Sequence, residues 1–468
     1  MTTNDYNAFL QSKANASPAV GIEKPGKLND RMFPFQKDIV KWALRRGRAA
    51  IFADCGLGKS LMQLEWAHNV AKHTKGRVLI LAPLAVAEQT VAEGEKFGIQ
   101  VRLCNSQEDV GQGLNVTNYE KLHKFDPSAF DGVVLDESSI LKSFDGSTKK
   151  VLIEAFQKTR FRLACTATPA PNDYMELGNH AEFLGAMTRA EMLAMYFVHD
   201  GGDTSQWRIK GHAENAFWDW VCSWGIMLRK PSDLGYEDAG FALPEMVIHK
   251  HVVQSTQRPE GMLFMMPAET LQEQRAARRA SLNDRVNKVA ELVNGSPEPW
   301  LVWCELNDEG DQLEKAIQGA LQVAGKDDNE TKSARLTGFA KGTPRILVSK
   351  PSLAGFGLNY QHCANVAFVG LSHSYEQFYQ AVRRCWRFGQ TRSVHVHIVT
   401  SNLELSILDN VLRKEKDSQK MAREMVGHMR DKNIASVRGL TRNVASYCPT
   451  EPMQIPSWLT SEDAEKAA

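Results

Sequence analysis

The chain of 468 residues predicts an α/β protein with two blocks of parallel sheet and a mainly helical insert. Three observations lead there. Apolar runs of strand length alternate with helical stretches from residue 31 to about 170, at 49–52, 78–82, 114–117, 132–135 and 161–166. The same alternation returns at 300–304, 345–349, 366–370 and 394–399. Between the blocks, 170–245 breaks the rhythm and gathers Trp207, Trp218, Trp220 and Trp224. Strands that alternate with helices favour a parallel sheet covered on both faces.

The segments follow in order. Residues 1–30 are rich in Ser, Asn, Pro and Gly and read as a loosely ordered start. Residues 31–245 form the first block with its insert at 170–245, and 246–295 connect to a second block at 296–410. Residues 411–468 are a basic helical extension and tail, with nine Lys/Arg against four Asp/Glu over 411–443. A solvated helix face is the plainer reading of that excess, and a bracket facing nucleic acid the sharper one. Phe217, Trp220, Val221 and Trp224 fall at helical spacing. Packing against the core is therefore favoured over stacking on bases.

Composition narrows the function class. A net charge of +1 excludes a globally basic nucleic-acid coat, so any such site must be a local groove. The eight cysteines stand singly, with no Cys-x-x-Cys pair, and indicate neither zinc nor a disulfide framework. No apolar run approaches the roughly 18 residues that span a bilayer, and the first 22 residues lack a basic-then-apolar signal pattern. A cytoplasmic protein of a bacterial host cell, away from membranes, is the accompanying expectation.

The most informative segment is Ala53-Asp-Cys-Gly56-Leu-Gly58-Lys59-Ser60, between an apolar run and a helix-like stretch. Strand, Gly-rich loop and helix is the context in which such a loop cradles phosphate. Gly56 and Gly58 let backbone N–H groups turn toward phosphate oxygens at the positive end of the next helix. Lys59 would bridge the β- and γ-phosphates, and the Ser60 hydroxyl would hold Mg²⁺.

About 75 residues later, Val133-Val-Leu-Asp136-Glu137-Ser-Ser139 ends an apolar strand in two acids. That position is the carboxyl edge of a parallel sheet, where such folds bind ligands. Asp136 would hold Mg²⁺, through water, and Glu137 would orient or deprotonate an attacking water. A bare Asp-Glu pair after a strand often only caps a helix; its order after the phosphate loop favours chemistry.

These motifs, with others in fixed order, give the chain a resemblance to superfamily-two helicase-type ATPases, nearest to the Swi/Snf-related branch in a compact phage or bacterial form. The resemblance implies two tandem RecA-like lobes with ATP and Mg²⁺ between them. Phe33-Pro-Phe-Gln36 resembles the segment whose Gln recognises adenine. Leu81-Ala-Pro83 and Val116-Thr-Asn-Tyr119-Glu120 resemble lobe-one segments that touch the nucleic-acid backbone, and Thr166-Ala-Thr-Pro169 the coupling motif. Met227-Leu-Arg-Lys230, followed by Leu243-Pro244, resembles the lead into lobe two. In lobe two, Leu353-Ala-Gly-Phe-Gly357-Leu-Asn359 resembles the element that closes over nucleotide, which gives Gly357 a nucleotide-binding role. Gln380-Ala-Val-Arg383-Arg384-Cys-Trp-Arg387-Phe-Gly-Gln390 resembles the arginine motif, so Arg384 and Arg387 would reach the γ-phosphate.

The resemblance covers roughly residues 31–400. Four departures accompany it: Ser139 replaces a frequent His, Arg383 replaces a usual Asp, the Gly-rich element is one glycine short, and remodeller-type insertions are absent. It implies a DNA partner, duplex or branched, and leaves protein partners open. Two alternatives stand beside it: an RNA helicase of the DEAD-box kind, and an ATP-gated nucleic-acid clamp with little turnover.

Overall fold

The computed structural model describes residues 19–437 apart from 84–85, 143–146, 171–172, 201–202, 239, 255–270, 355–358, 373 and 403. Gly357 lies outside the described residues, as do positions 1–18 and 438–468 of the two terminal segments. The remainder of the N-terminal stretch is packed rather than loose. The Ile22 N–H donates to Leu44 O at 2.7 Å, and Ile22 and Leu28 are buried.

The strands of the first half are β1 (Arg48–Ala53), β2 (Arg77–Ala82), β3 (Val101–Leu103), β4 (Gly113–Asn118), β5 (Gly132–Asp136), β6 (Phe161–Thr166), β7 (Phe197–Asp200), β8 (Asp203–Ile209) and β9 (Gly225–Leu228). Seven of them form a parallel sheet in the order β3-β4-β2-β5-β6-β1-β9, while β7 and β8 pair antiparallel outside it. Continuous apolar runs suit this sheet because both faces are covered. Ile51, Ile80 and Val134 face one core, and Phe52, Leu79 and Leu135 the other. The range 170–245 holds helices Leu177–Leu184, Arg189–Tyr196 and Glu214–Cys222, together with the hairpin β7/β8 and β9. Trp218, Trp220 and Trp224 are each no more than 1% exposed, so all three serve the core rather than a track.

The second sheet contains β10 (Met246–Val253), β11 (Trp300–Cys304), β12 (Ala320–Val323), β13 (Ile346–Ser349), β14 (Asn365–Val369) and β15 (Val394–Ser401), ordered β10-β15-β14-β11-β13-β12 and parallel throughout. Strand β10 falls in the stretch read as a connector, yet it pairs with β15 from Met246↔Val394 to Val253↔Ser401. His249, Lys250 and His251 interrupt its apolar pattern, as befits an edge strand. The helix Leu282–Asn294 from the same stretch packs Val286, Val289 and Val293 against Trp300 and Val302. Its buried Arg285 lies 2.7 Å from Glu309 and 3.6 Å from Glu404, an ion network that joins three elements of lobe two.

These two units are tandem RecA-like lobes. The last helix, Leu405–Val437, leaves lobe two and lies along lobe one. Met425 and Met429 enter the lobe-one core, His428 stacks on Trp218 at 5.1 Å, and Lys432 pairs with Asp219 at 2.8 Å. One face of the basic extension is thus committed to packing. Arg413, Lys416, Lys420, Arg423 and Arg430 remain exposed on it.

Candidate nucleotide site

The strand order brings the separated motifs together. Strand β1 ends at Ala53 and feeds the Gly-rich loop, β5 ends at Asp136, and β6 runs between them. The helix Lys59–Thr74 begins at the lysine itself, so its unpaired N–H groups face the loop. Gly56 and Gly58 have φ of 89° and 80°, in the left-handed region that favours glycine. Space is short as well: a Cβ on Gly58 would stand 2.3 Å from Gln36 Nε2 and displace that amide. On Gly56 it would stand 2.8 Å from the Phe388 nitrogen of lobe two.

One cavity is lined by Gly56, Gly58, Lys59, Ser60, Asp136 and Glu137 from lobe one, and by Arg383, Arg384 and Arg387 from lobe two. Eight of the residues singled out in the sequence therefore meet at one place. Lys59 Nζ donates to Ala53 O at 2.8 Å, a contact that a phosphate oxygen can take over. Asp136 is buried, and its carboxyl is pushed up to about 6 by that burial and then by the charge of Glu137. Tyr119 supports the turn from below, its hydroxyl donating to Asp136 O at 2.7 Å. A segment matched to a backbone-touching motif thus also fixes the acidic turn. Glu137 itself has φ of 51°, uncommon for a residue with a side chain.

The opposite wall is cationic. Burial depresses the Arg384 guanidinium, and burial followed by the nearby Arg384 charge depresses Arg387 to about 10. Cations crowded against one another in a half-dry cleft are destabilised until an anion joins them. Acids on one wall and cations on the other suit a polyphosphate carrying Mg²⁺. Among the described residues, no cluster of three or more His, Cys, Asp or Glu side chains could hold a metal ion by itself. The Ser60 hydroxyl and, through water, the Asp136 carboxylate would be oxygen partners for a Mg²⁺ completed by phosphate and water.

Gln36 stands beside the loop rather than in the cavity wall. Its Oε1 accepts from the Phe33 N–H at 2.9 Å and its Nε2 donates to Leu57 O at 2.9 Å. One hydrogen of the amide nitrogen and one lone pair of the oxygen remain for a base. Sequence reasoning did not single out Asp54, Tyr379 or Glu376. Arg383 bonds Cys55 O at 2.7 Å and pairs with Asp54 at 2.8 Å, and the Tyr379 hydroxyl donates to the same carboxylate. Ser139 Oγ donates to Glu376 Oε1 at 2.7 Å, and Lys142 joins that carboxylate. The available signal was the arginine at 383 where an acid was expected.

Residues 284–389 match the helicase conserved C-terminal domain. The chain is 24% identical over 434 residues to the DNA annealing helicase and endonuclease ZRANB3 of Bos taurus, which spans 82% of this chain and 40% of that protein. It is 21% identical over 420 residues to the SWI/SNF-related matrix-associated actin-dependent regulator of chromatin subfamily A-like protein 1 of Xenopus tropicalis, over 80% of this chain and 43% of that protein. The chain thus spans about two-fifths of the length of these curated relatives. The Sulfolobus solfataricus SWI2/SNF2 ATPase core in complex with dsDNA covers 88% of this chain and 98% of its own, at 16% identity and a TM-score of 0.42. On its ordered motifs, its two lobes and these sequence relatives, the chain is similar to the superfamily-two helicase-like ATPases of the Swi/Snf-related branch and carries a helicase conserved C-terminal domain at 284–389.

Proposed function

We propose that the chain is a DNA-dependent ATPase motor, which hydrolyses ATP between its lobes to translocate on, or remodel, duplex or branched DNA. The observation that carries this reading is the shared cavity, where Lys59 and Glu137 of lobe one face Arg384 and Arg387 of lobe two. DNA is favoured over RNA because the annealing-helicase relatives are named for DNA.

Each residue then has a task. Lys59 exchanges its carbonyl contact for the β- and γ-phosphates. Ser60 and Asp136 would hold Mg²⁺, which would supply neutralisation of phosphate charge. Glu137 orients the attacking water, and Arg384 and Arg387 stabilise charge that grows on the transferred group. Gln36, with Gly357 of the Gly-rich element, completes the nucleotide contacts. The full charge set exists only with the cleft closed, so loss of phosphate removes the phosphate's share of the attraction between lobes and loosens the cleft. A track held by both lobes through its phosphates would be gripped in a salt-sensitive, largely sequence-independent way.

The deciding experiment is steady-state ATPase without nucleic acid and with duplex DNA, single-stranded DNA or RNA, using Glu137→Gln as the inactive control. Stimulation by DNA supports the motor. Stimulation by RNA alone moves the chain to the RNA-helicase reading, and absence of turnover on every track to an ATP-gated clamp.

A further inference from the structure

The contacts around Arg383 carry a consequence for how the two lobes find each other. Its guanidinium is 3% exposed, sits 2.8 Å from Asp54 Oδ1 and donates to Cys55 O at 2.7 Å. Both partners belong to the phosphate loop of lobe one. Tyr379, one turn earlier on the helix Tyr375–Val382, donates its hydroxyl to the same carboxylate. Arg384 follows immediately, and Arg387 four residues later; both line the nucleotide cavity. The anchor therefore sits at the root of the segment that presents the two cations.

The neighbouring contacts agree. Phe388 stacks on Phe241 at 4.6 Å and closes over Gly56, while Glu376 takes the Ser139 hydroxyl. These bonds run directly between groups of the two lobes. Burial alone would depress the Arg383 guanidinium, yet Asp54 above all carries it past its ordinary value, so the charge persists in the closed cleft.

We infer that Arg383 is a positioning residue: through Asp54 and the Cys55 carbonyl it docks lobe two on the phosphate loop before nucleotide arrives, and so sets the register in which Arg384 and Arg387 meet the phosphates. This deepens the proposed ATPase reading and rests on it for its catalytic half only. A usual acid at position 383 could not make this pair with Asp54. The arginine, noted first as a departure from the family, thus becomes a device of this chain.

The test combines solution scattering of the nucleotide-free protein with ATPase kinetics for Asp54→Asn, Arg383→Gln, their combination and Arg383→Lys. Either single substitution should expand the nucleotide-free envelope and lower kcat about tenfold, with KM changed no more than about threefold. The double variant should lose no more than the worse single one, because both remove one interaction. Arg383→Lys, which keeps the charge, should stay compact and retain most activity. An unchanged envelope in the single variants, or additive losses in the double, overturns the anchor. If the unaltered protein fails to hydrolyse ATP, the ATPase reading falls, and the envelopes still decide whether Asp54 and Arg383 hold the lobes together.

Discussion

Thr166 Oγ1 lies 3.4 Å from Glu137 Oε2 and at the same time accepts the Thr168 N–H at 3.1 Å. The second bond turns the hydroxyl proton toward the carboxylate. Strand β6 therefore ends in a residue that senses the acid beside it, and Thr168 carries that link into the turn beyond. In the proposed motor this is the route between hydrolysis and track. Thr166→Val keeps the shape and removes the donor. Its unstimulated turnover should stay within about threefold of wild type, whereas DNA stimulation should fall at least about tenfold. Full stimulation in the variant would remove Thr166 from the coupling route.

Removal of single charges from the cavity separates binding from turnover. Lys59→Ala should abolish productive ATP binding, because no other lobe-one cation lines the described cavity. Glu137→Gln should bind ATP and suppress hydrolysis. Arg387→Ala should bind ATP within a few fold and lower turnover at least about a hundredfold, because the lost charge acts mainly on the transition state. Fluorescent-nucleotide titration beside single-turnover hydrolysis distinguishes the three, and near-wild-type turnover in Arg387→Ala would withdraw its role.

Cys55 lines the nucleotide cavity and is half-exposed, whereas Cys104, Cys165, Cys222, Cys304, Cys363 and Cys385 are buried. Reactivity of a thiol follows exposure and nearby positive charge. In a Cys448→Ser background, which removes the remaining thiol, a maleimide should label Cys55 first and block ATPase. Saturating ATP should slow that labelling at least about tenfold, in proportion to site occupancy. Equal labelling rates with and without nucleotide would place the thiol outside the occupied site.

The distribution of legible and hidden features follows from how local each one is. The loop with Gly56, Gly58, Lys59 and Ser60, the acids after β5 and the arginine pair are compact motifs at strand or helix ends, so sequence carried them directly. The pairing of Asp54 with Arg383 and Tyr379 was hidden because it joins positions more than 320 apart in the chain. Arg383 stood out locally as a departure from the family, but nothing local marks Asp54 or Tyr379 as its partners. Strand β10 was hidden for another reason: polar histidines and a lysine interrupt an edge strand whose outer side needs no apolar cover. Trp220 and Trp224 of the insert had the opposite character, since their helical spacing with Phe217 and Val221 favoured the core in which they are buried.

His180 supplies the acid limit of the fold. It is buried, its Nε2 lies 3.1 Å from Ser138 Oγ, and burial lowers its imidazole to about 4. In the unfolded chain the same group titrates near its ordinary 6.5. Between those values the unfolded state binds the extra proton, so stability rises with pH. The neutral ring's contribution is complete above pH 6.5 and is lost as the pH falls toward 4. The full loss is on the order of 3 kcal/mol. His397, also lowered to about 4 by burial and then by His249, His251 and His395, adds a smaller effect because water reaches its ring. His180→Gln retains a hydrogen-bonding side chain and cannot titrate in this window. Between pH 7.5 and 4.5 its urea midpoint should therefore fall less than that of the unaltered protein, by about 2 kcal/mol when multiplied by the slope. Equal falls in the two proteins would show that His180 remains uncharged in the unfolded chain or is already charged in the fold.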